Sequence, residues 1–252
     1  NRAFVESLYL DVDKLVGELR RRLTPDDTLI VMSDHGFAPY YRKFNLNTWL
    51  LKHGYLVLKD EPDDKRKKRE ENHKLRSGFD QNGIDWSKSR AYNIGFASIS
   101  LNVKGRDPLG IVDPTQVESL TDEICARLQD EVDPKNGKQI FHVNYKTRDV
   151  YHGDAKDTAP EIIAGFRREY RNSNESALGE ITDEVLEDNL EAWSGCHLMA
   201  AEEVPGVVFS NRRIQLETPK LYDLTPTVLQ EFGIDKRPEM IGQPLWQRSP
   251  EQ

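Results

Sequence analysis

Cysteine is scarce in this chain: Cys125 and Cys196 are the two in 252 residues, and no C-x-x-C spacing joins them. That excludes a disulfide framework and a zinc-ribbon pattern, and it makes a reducing, cytoplasmic compartment the expectation. Long apolar runs are lacking too. None approaches the roughly 18–20 residues that a membrane span needs, and no basic-then-apolar leader opens the sequence, so no membrane partner is expected. Basic residues are not in excess either: the formal net charge of -8 disfavours a nucleic-acid backbone as partner. It does not exclude a small phosphorylated substrate, because bound cations supply positive charge locally. Internal repeats are absent. With 37% hydrophobic and 31% charged residues, the chain is able to form one sizeable core or two small ones.

Phe4, Leu8, Val12, Leu15, Val16, Leu19 and Leu23 recur at helical spacing, so residues 4–23 read as an amphipathic helix. Arg20, Arg21 and Arg22 fall in its last turn, where the helix dipole favours cations. The pattern is already under way at Asn1, and the expectation is that the sequence starts inside a longer protein. Thr24, Pro25, Asp26 and Asp27 stop the helix, and residues 28–32, apolar and partly β-branched, read as a buried strand. Helix, turn and buried strand in that order predict an α/β fold. Residues 47–58 read as a short helix, a stop at Gly54 and a strand. The tract 59–83 is dense in both charges, as expected of a solvated excursion. Further strands are expected at 91–94, 97–103, 139–145, 161–166 and 204–210, with a helix at 114–131. A last helix at 221–232 is opened by Asp223, Thr225 and Pro226 and closed by Gly233.

The sharpest chemical feature is Ser33-Asp34-His35-Gly36-Phe37, directly after the first strand, where open α/β sheets bind their ligands. Neighbouring strand residues point to opposite faces, so Asp34 and His35 share one ion only if the chain turns at once, which Gly36 permits. A carboxylate oxygen with an imidazole nitrogen suits zinc, with manganese second. The same two residues serve equally as a hydrogen-bonded pair at a strand end. A second feature is Trp193-Ser194-Gly195-Cys196-His197, followed by Val204-Pro205-Gly206-Val207-Val208-Phe209-Ser210-Asn211 and Leu221-Tyr222-Asp223-Leu224-Thr225-Pro226-Thr227-Val228-Leu229.

These pieces, in this order, resemble the alkaline phosphatase superfamily, and within it the type I phosphodiesterase/nucleotide pyrophosphatase and predicted phosphohydrolase/phosphomutase members. The segments 44–50, 85–92 and 105–108 are similar to those relatives as well, so the resemblance spans nearly the whole chain. It implies a partial alkaline-phosphatase-like sheet sandwiched by helices. Residues 1–37 form a core segment ending in the ligand strand, 38–190 an inserted, cap-like region, and 191–252 a C-terminal core segment. It further implies two divalent metal ions, Zn2+ ahead of Mn2+, with Asp34 and His35 on the ion that also holds the nucleophile and His197 on the other.

Three side chains cannot hold two ions, since a zinc ion takes about four ligands. The relatives complete the set with an Asp after their first strand, a Thr or Ser nucleophile at a helix start, and an Asp followed four residues later by a His. No such Asp-x-x-x-His spacing occurs here, and Asp11 and Asp13 read as helix-surface residues. The nucleophile is expected upstream of Asn1, so the chain alone is expected to be inactive. The resemblance implies hydrolysis of a phosphodiester or nucleotide pyrophosphate through a phospho-Thr or phospho-Ser intermediate. Phosphomutase and sulfatase activities belong to the same superfamily, and a non-catalytic truncated module is the remaining alternative. His53, His73, His142 and His152 read as structural, with His152, in its Tyr-His-Gly-Asp turn, the first of them to consider for a metal role instead. Cys196 reads as a small packed thiol, where relatives often carry an acidic residue. Asn45, Asn47 and Trp193 read either as lining of the substrate pocket or as core and turn residues.

Overall fold

The computed structural model describes residues 2–72, 74–79 and 83–247, so His73 lies outside the described residues. In chain order the helices are α1 (Arg2–Arg22), α2 (Leu46–Lys52), α3 (Asp63–Glu71), α4 (Val117–Gln129), α5 (Thr147–Val150), α6 (Asn174–Ala177) and α7 (Leu224–Glu231). The strands are β1 (Ile30–Met32), β2 (Ala38–Phe44), β3 (Arg76–Ser77), β4 (Ala91–Asn93), β5 (Ser98–Leu101) and β6 (Phe141–Lys146). They continue with β7 (Ile162–Phe166), β8 (Glu169–Asn172), β9 (Glu180–Ile181), β10 (Leu186–Asp188), β11 (Gly195–Cys196) and β12 (Val208–Ser210). The fold is α/β; among the described residues the strands lie in four small sheets that are antiparallel except where β2 runs parallel to β8. Among the described residues no helix is long and apolar enough to cross a membrane.

The chain divides into two compact units, one formed by residues 1–35 and 206–252, the other by residues 36–205. The first unit is built on the antiparallel pair β1 and β12, with Val31 opposite Phe209. Strand β1 is not the buried strand its composition predicts: Ile30 and Val31 are half-buried and Met32 is 40% exposed, because this ladder has only two strands. Helix α1 forms where its periodicity places it, yet buries none of its residues. The final helix motif turns out to be an anchor for the C-terminal segment. Asp223, nearly buried, accepts from the backbone N–H groups of Lys220 and Gln243, both at 2.8 Å. The Thr227 hydroxyl donates to the Asp223 carbonyl at 2.6 Å and accepts from the Leu245 N–H at 2.9 Å.

The second unit holds the main hydrophobic core. Strands β4, β5, β7 and β6 form one sheet, and the Phe44, Phe141 and Phe166 rings meet beside it with centroids 4.7–5.9 Å apart. Leu120, Ile124 and Leu128 of α4, spaced by four, join that core. The run after Gly54 is no strand. Gly54 takes φ +73° to end α2, and the N–H groups of Tyr55 and Leu56 turn back onto the Leu50 carbonyl. Both side chains are buried, so the apolar residues mark a core anchor. Of 204–210 only Val208–Ser210 is strand.

Several buried polar residues here are held by networks of partners. Asn47 donates to the Asn93 and Ser176 carbonyls and accepts from the Asn93 N–H, while the Ser176 hydroxyl joins Asn47 N–H to Asn93 Oδ1. Asn45 donates to Glu187 and to the Glu184 carbonyl. Both asparagines are fully buried, which makes them core residues. Arg42 faces inward because its Nε lies 3.2 Å from Asp133 and its guanidinium also donates to Asp188.

Hydrogen bonds from Lys135 and Arg42 hold the Asp188 carboxyl below the usual range. A depressed carboxyl contributes stability in full above its unfolded value, about 3.9 for Asp, and loses it as pH falls through the folded value. The urea midpoint of Asp188→Asn is therefore expected below wild type at pH 7, with the gap closing below about pH 4. An unchanged gap at pH 3 would show that Asp188 is not the group responsible.

Candidate metal centre

In the first unit, the chain leaves β1 with one further rung: Ser33 N–H donates to the Val207 carbonyl at 3.0 Å, and Val207 N–H donates to Ser33 Oγ at 2.9 Å. Gly206 permits this close approach, since a Cβ there would stand 2.7 Å from the Ser33 carbonyl oxygen. The Pro-Gly step before β12 thus fixes the backbone from which Asp34 projects.

Asp34 and His35 meet on the same side. Asp34 Oδ2 and His35 Nε2 are 3.6 Å apart, and the other carboxylate oxygen accepts from the His35 backbone N–H at 3.1 Å. Their side chains are 72% and 38% exposed. Two ligands on one tetrahedral zinc, bonded at about 2.0–2.1 Å, stand about 3.3 Å apart. The pair matches that spacing closely enough to share a cation after a small rotation, so these residues fit a divalent ion.

The glycine that follows has a role other than the one its composition implied. Gly36 is not among the positive-φ glycines. Its N–H donates to the Val204 carbonyl at 2.7 Å, and a Cβ would lie 2.6 Å from the Pro205 oxygen.

His197 stands in the second unit, exposed, immediately after β11. Gly195 pairs with Pro39 and Cys196 with Ala38, so β11 lies along the start of β2. The Phe37 ring centroid is 6.1 Å from that of His197. Cys196 is buried and its Sγ accepts from the Leu198 N–H at 3.4 Å, in keeping with a packed thiol.

The remaining histidines in the described part are placed by other contacts. His53 caps α2, its Nδ1 2.9 Å from the Trp49 carbonyl and its ring 4.2 Å from the Trp49 ring. His142 lies on β6 with Nδ1 3.1 Å from Glu203. His152 is exposed in a turn. Among the described residues, no group of three or more His, Cys, Asp or Glu side chains is placed so as to hold a metal ion. The donor pair in the first unit does not by itself fill a coordination shell.

What the motifs did not reveal are the Phe37 ring beside His197 and the exposure of the aromatic side chains along β2 and ahead of β11. Phe37, Tyr41 and Trp193 are all more than half exposed. The alternation from 37 to 41 carried the signal, but Pro39 masks it.

Neither the curated proteins nor the solved structures give a match. A family profile does: the description type I phosphodiesterase / nucleotide pyrophosphatase applies to residues 3–185, well over half of the chain, and includes Asp34 and His35 while ending before His197. A carboxylate and imidazole set at ligand spacing at the end of a strand are thus accompanied by a sequence match running from α1 to just before β10, and the chain belongs to the type I phosphodiesterase / nucleotide pyrophosphatase family of the alkaline phosphatase superfamily.

Proposed function

We propose that this chain is the metal-binding part of a cytoplasmic phosphohydrolase that cleaves a small phosphodiester or nucleotide pyrophosphate. The observation that carries the proposal is the Asp34–His35 donor pair, 3.6 Å apart at the end of β1, in a chain of this family. Asp34 and His35 would hold one divalent ion and His197 would contribute to a second, zinc being favoured by the mixed carboxylate and imidazole donors and manganese next. When bound, such ions offset negative charge on the attacking and leaving oxygens.

The chain's own residues set up the donors. Ser33 and Gly206 fix the backbone ahead of Asp34, and the β2–β11 pairing fixes the backbone leading to His197. The attacking group is assigned to a Thr or Ser hydroxyl on a segment ahead of Asn1. Its oxygen bonds to phosphorus as the bond to the leaving oxygen breaks, and water then frees the phosphorylated side chain.

The test is hydrolysis of bis(p-nitrophenyl) phosphate by the polypeptide extended through that segment. Turnover is expected to vanish in chelator and return on adding zinc or manganese. The 252-residue chain alone is expected to be silent. Turnover that persists after metal removal would overturn the metal assignment, and turnover by the chain alone would overturn the location of the nucleophile.

A further inference from the structure

In the second unit, the turn that joins β7 to β8 holds a side chain on a backbone conformation that few residues adopt. Tyr170 N–H donates to the Arg167 carbonyl at 3.2 Å, which closes a four-residue turn, and the third residue of that turn, Glu169, has φ +80°. A turn with positive φ at its third position ordinarily takes glycine or asparagine, so a glutamate there is strained. Strain of this kind persists where the surrounding structure requires it. Here the requirement is the carboxylate: Glu169 Oε2 lies 2.6 Å from Nζ of Lys138, which stands in the loop ahead of β6. Glycine would relax the turn and leave Lys138 without this anchor.

The two residues before Glu169 share a second carboxylate, that of Glu203. Arg167 Nη1 lies 3.7 Å from it and Arg168 Nε 3.6 Å, and Arg168 Nε also donates to the Glu203 carbonyl at 2.8 Å. His142, the extra residue of a bulge in β6, brings Nδ1 to 3.1 Å from the same carboxylate. The Glu203 side chain is 16% exposed, against 41% and 57% for Arg167 and Arg168, so the carboxylate is the inner partner and the guanidinium groups are the outer ones. A cleft of about 450 Å³ opens among Lys138, Arg167, Arg168, Glu169 and Glu203, within the size range of small-molecule sites. Three cations meet two carboxylates there, which leaves one positive charge uncompensated in a chain whose formal net charge is -8.

We propose that this cleft binds a phosphate group, with Arg167, Arg168 and Lys138 as its donors. Guanidinium forks and an ammonium group converging on one space match a tetrahedral dianion, whose oxygens accept from several sides at once. A carboxylate carries a single charge in one plane and engages fewer of the three. Glu169 and Glu203 serve as anchors: they hold the cations in place before the ligand arrives, so less side-chain entropy is lost on binding. The bound group is the free ion or the end of a phosphate monoester, which present the same oxygens. The cleft shares no residue with the set Asp34, His35 and His197, so the proposal stands or falls apart from the reading of the metal centre.

The test is titration of the whole chain, freed of metal on a chelating resin, with inorganic phosphate and with methyl phosphate at constant ionic strength, followed by phosphorus NMR and calorimetry. Saturable binding is expected, weakened about five- to tenfold by Arg167→Gln, Arg168→Gln or Lys138→Gln alone. Arg168→Lys keeps the charge but not the fork, and is expected to fall between wild type and Arg168→Gln. Two variants should bind as wild type does: Arg237→Gln, which removes an exposed cation elsewhere, and His197→Ala. The tighter of the two probes identifies the source of the phosphate. Absence of saturable binding, or wild-type affinity in all three cleft variants, overturns the site. Equal weakening by Arg237→Gln also overturns it and leaves only general attraction to surface cations. Loss of binding in His197→Ala with the cleft variants unaffected would overturn it in favour of the candidate metal centre.

Discussion

In the polypeptide extended as in the proposed test, replacing His197 by Ala is expected to lower bis(p-nitrophenyl) phosphate hydrolysis by at least about a thousandfold, roughly 4 kcal/mol of transition-state stabilisation. The size of the effect follows from the ligand count. Loss of a residue that only orients a ligand costs about 10–100-fold in metal affinity or activity, and loss of the ligand itself exceeds that. His197 is exposed and follows a strand whose pairing runs through backbone groups, so the fold should survive the substitution within about 0.5 kcal/mol. His142→Ala is the contrasting variant. Its imidazole faces Glu203, which also lies 3.7 Å from Arg167 and 3.6 Å from Arg168, so its removal should cost stability and leave kcat near wild type. Measuring kcat, zinc affinity and urea midpoint on both variants decides the matter. Wild-type turnover in His197→Ala, or a loss in His142→Ala as deep as in His197→Ala, would remove His197 from the proposed centre.

How much of this was legible in the sequence depended on whether the cause was local. Strands β4 to β7 and helix α4 are local in origin, with alternating or helically spaced apolar residues, and they form where their patterns place them. Strand β2 is not readable in that way. Its inward positions include Arg42, which is buried because Asp133 and Asp188, far along the chain, neutralise it. The run at Tyr55 and Leu56 has a strand's composition, but Gly54 turns its amides back to α2, and side-chain pattern does not report where an N–H group finds its acceptor. At the candidate site, Asp34 and His35 were legible because they are neighbours after a strand. The roles of Trp193, Asn45 and Asn47 were not, because each depends on pairing with distant residues. Two of the three are buried by that pairing, while Trp193 is left on the surface.

Gly36→Ala tests the link between backbone packing and the candidate ligands. The position is not one that demands a left-handed conformation, so the added methyl group acts through sterics alone. It would stand 2.6 Å from the Pro205 oxygen and 3.2 Å from the Val204 carbonyl carbon, both backbone atoms with no rotamer to change. The chain at Val204 must move, although Val204 is buried and its carbonyl accepts the Gly36 N–H at 2.7 Å. Forcing a methyl group into such a contact costs about 1–3 kcal/mol. Because Gly36, whose backbone shares the strain with Val204, directly follows His35, zinc affinity is expected to fall about 10–100-fold, in the range seen when a ligand loses its support. Gly54→Ala supplies the comparison. Gly54 has φ +73° and open space where a Cβ would go, so its cost is conformational, about 1–2 kcal/mol, with no route to the metal ligands. Similar losses of stability in the two variants, with weakened zinc binding in Gly36→Ala only, are the expected result by urea denaturation and titration calorimetry. Wild-type zinc affinity in Gly36→Ala would mean that the packing of Gly36 against Val204 and Pro205 does not govern the placement of His35.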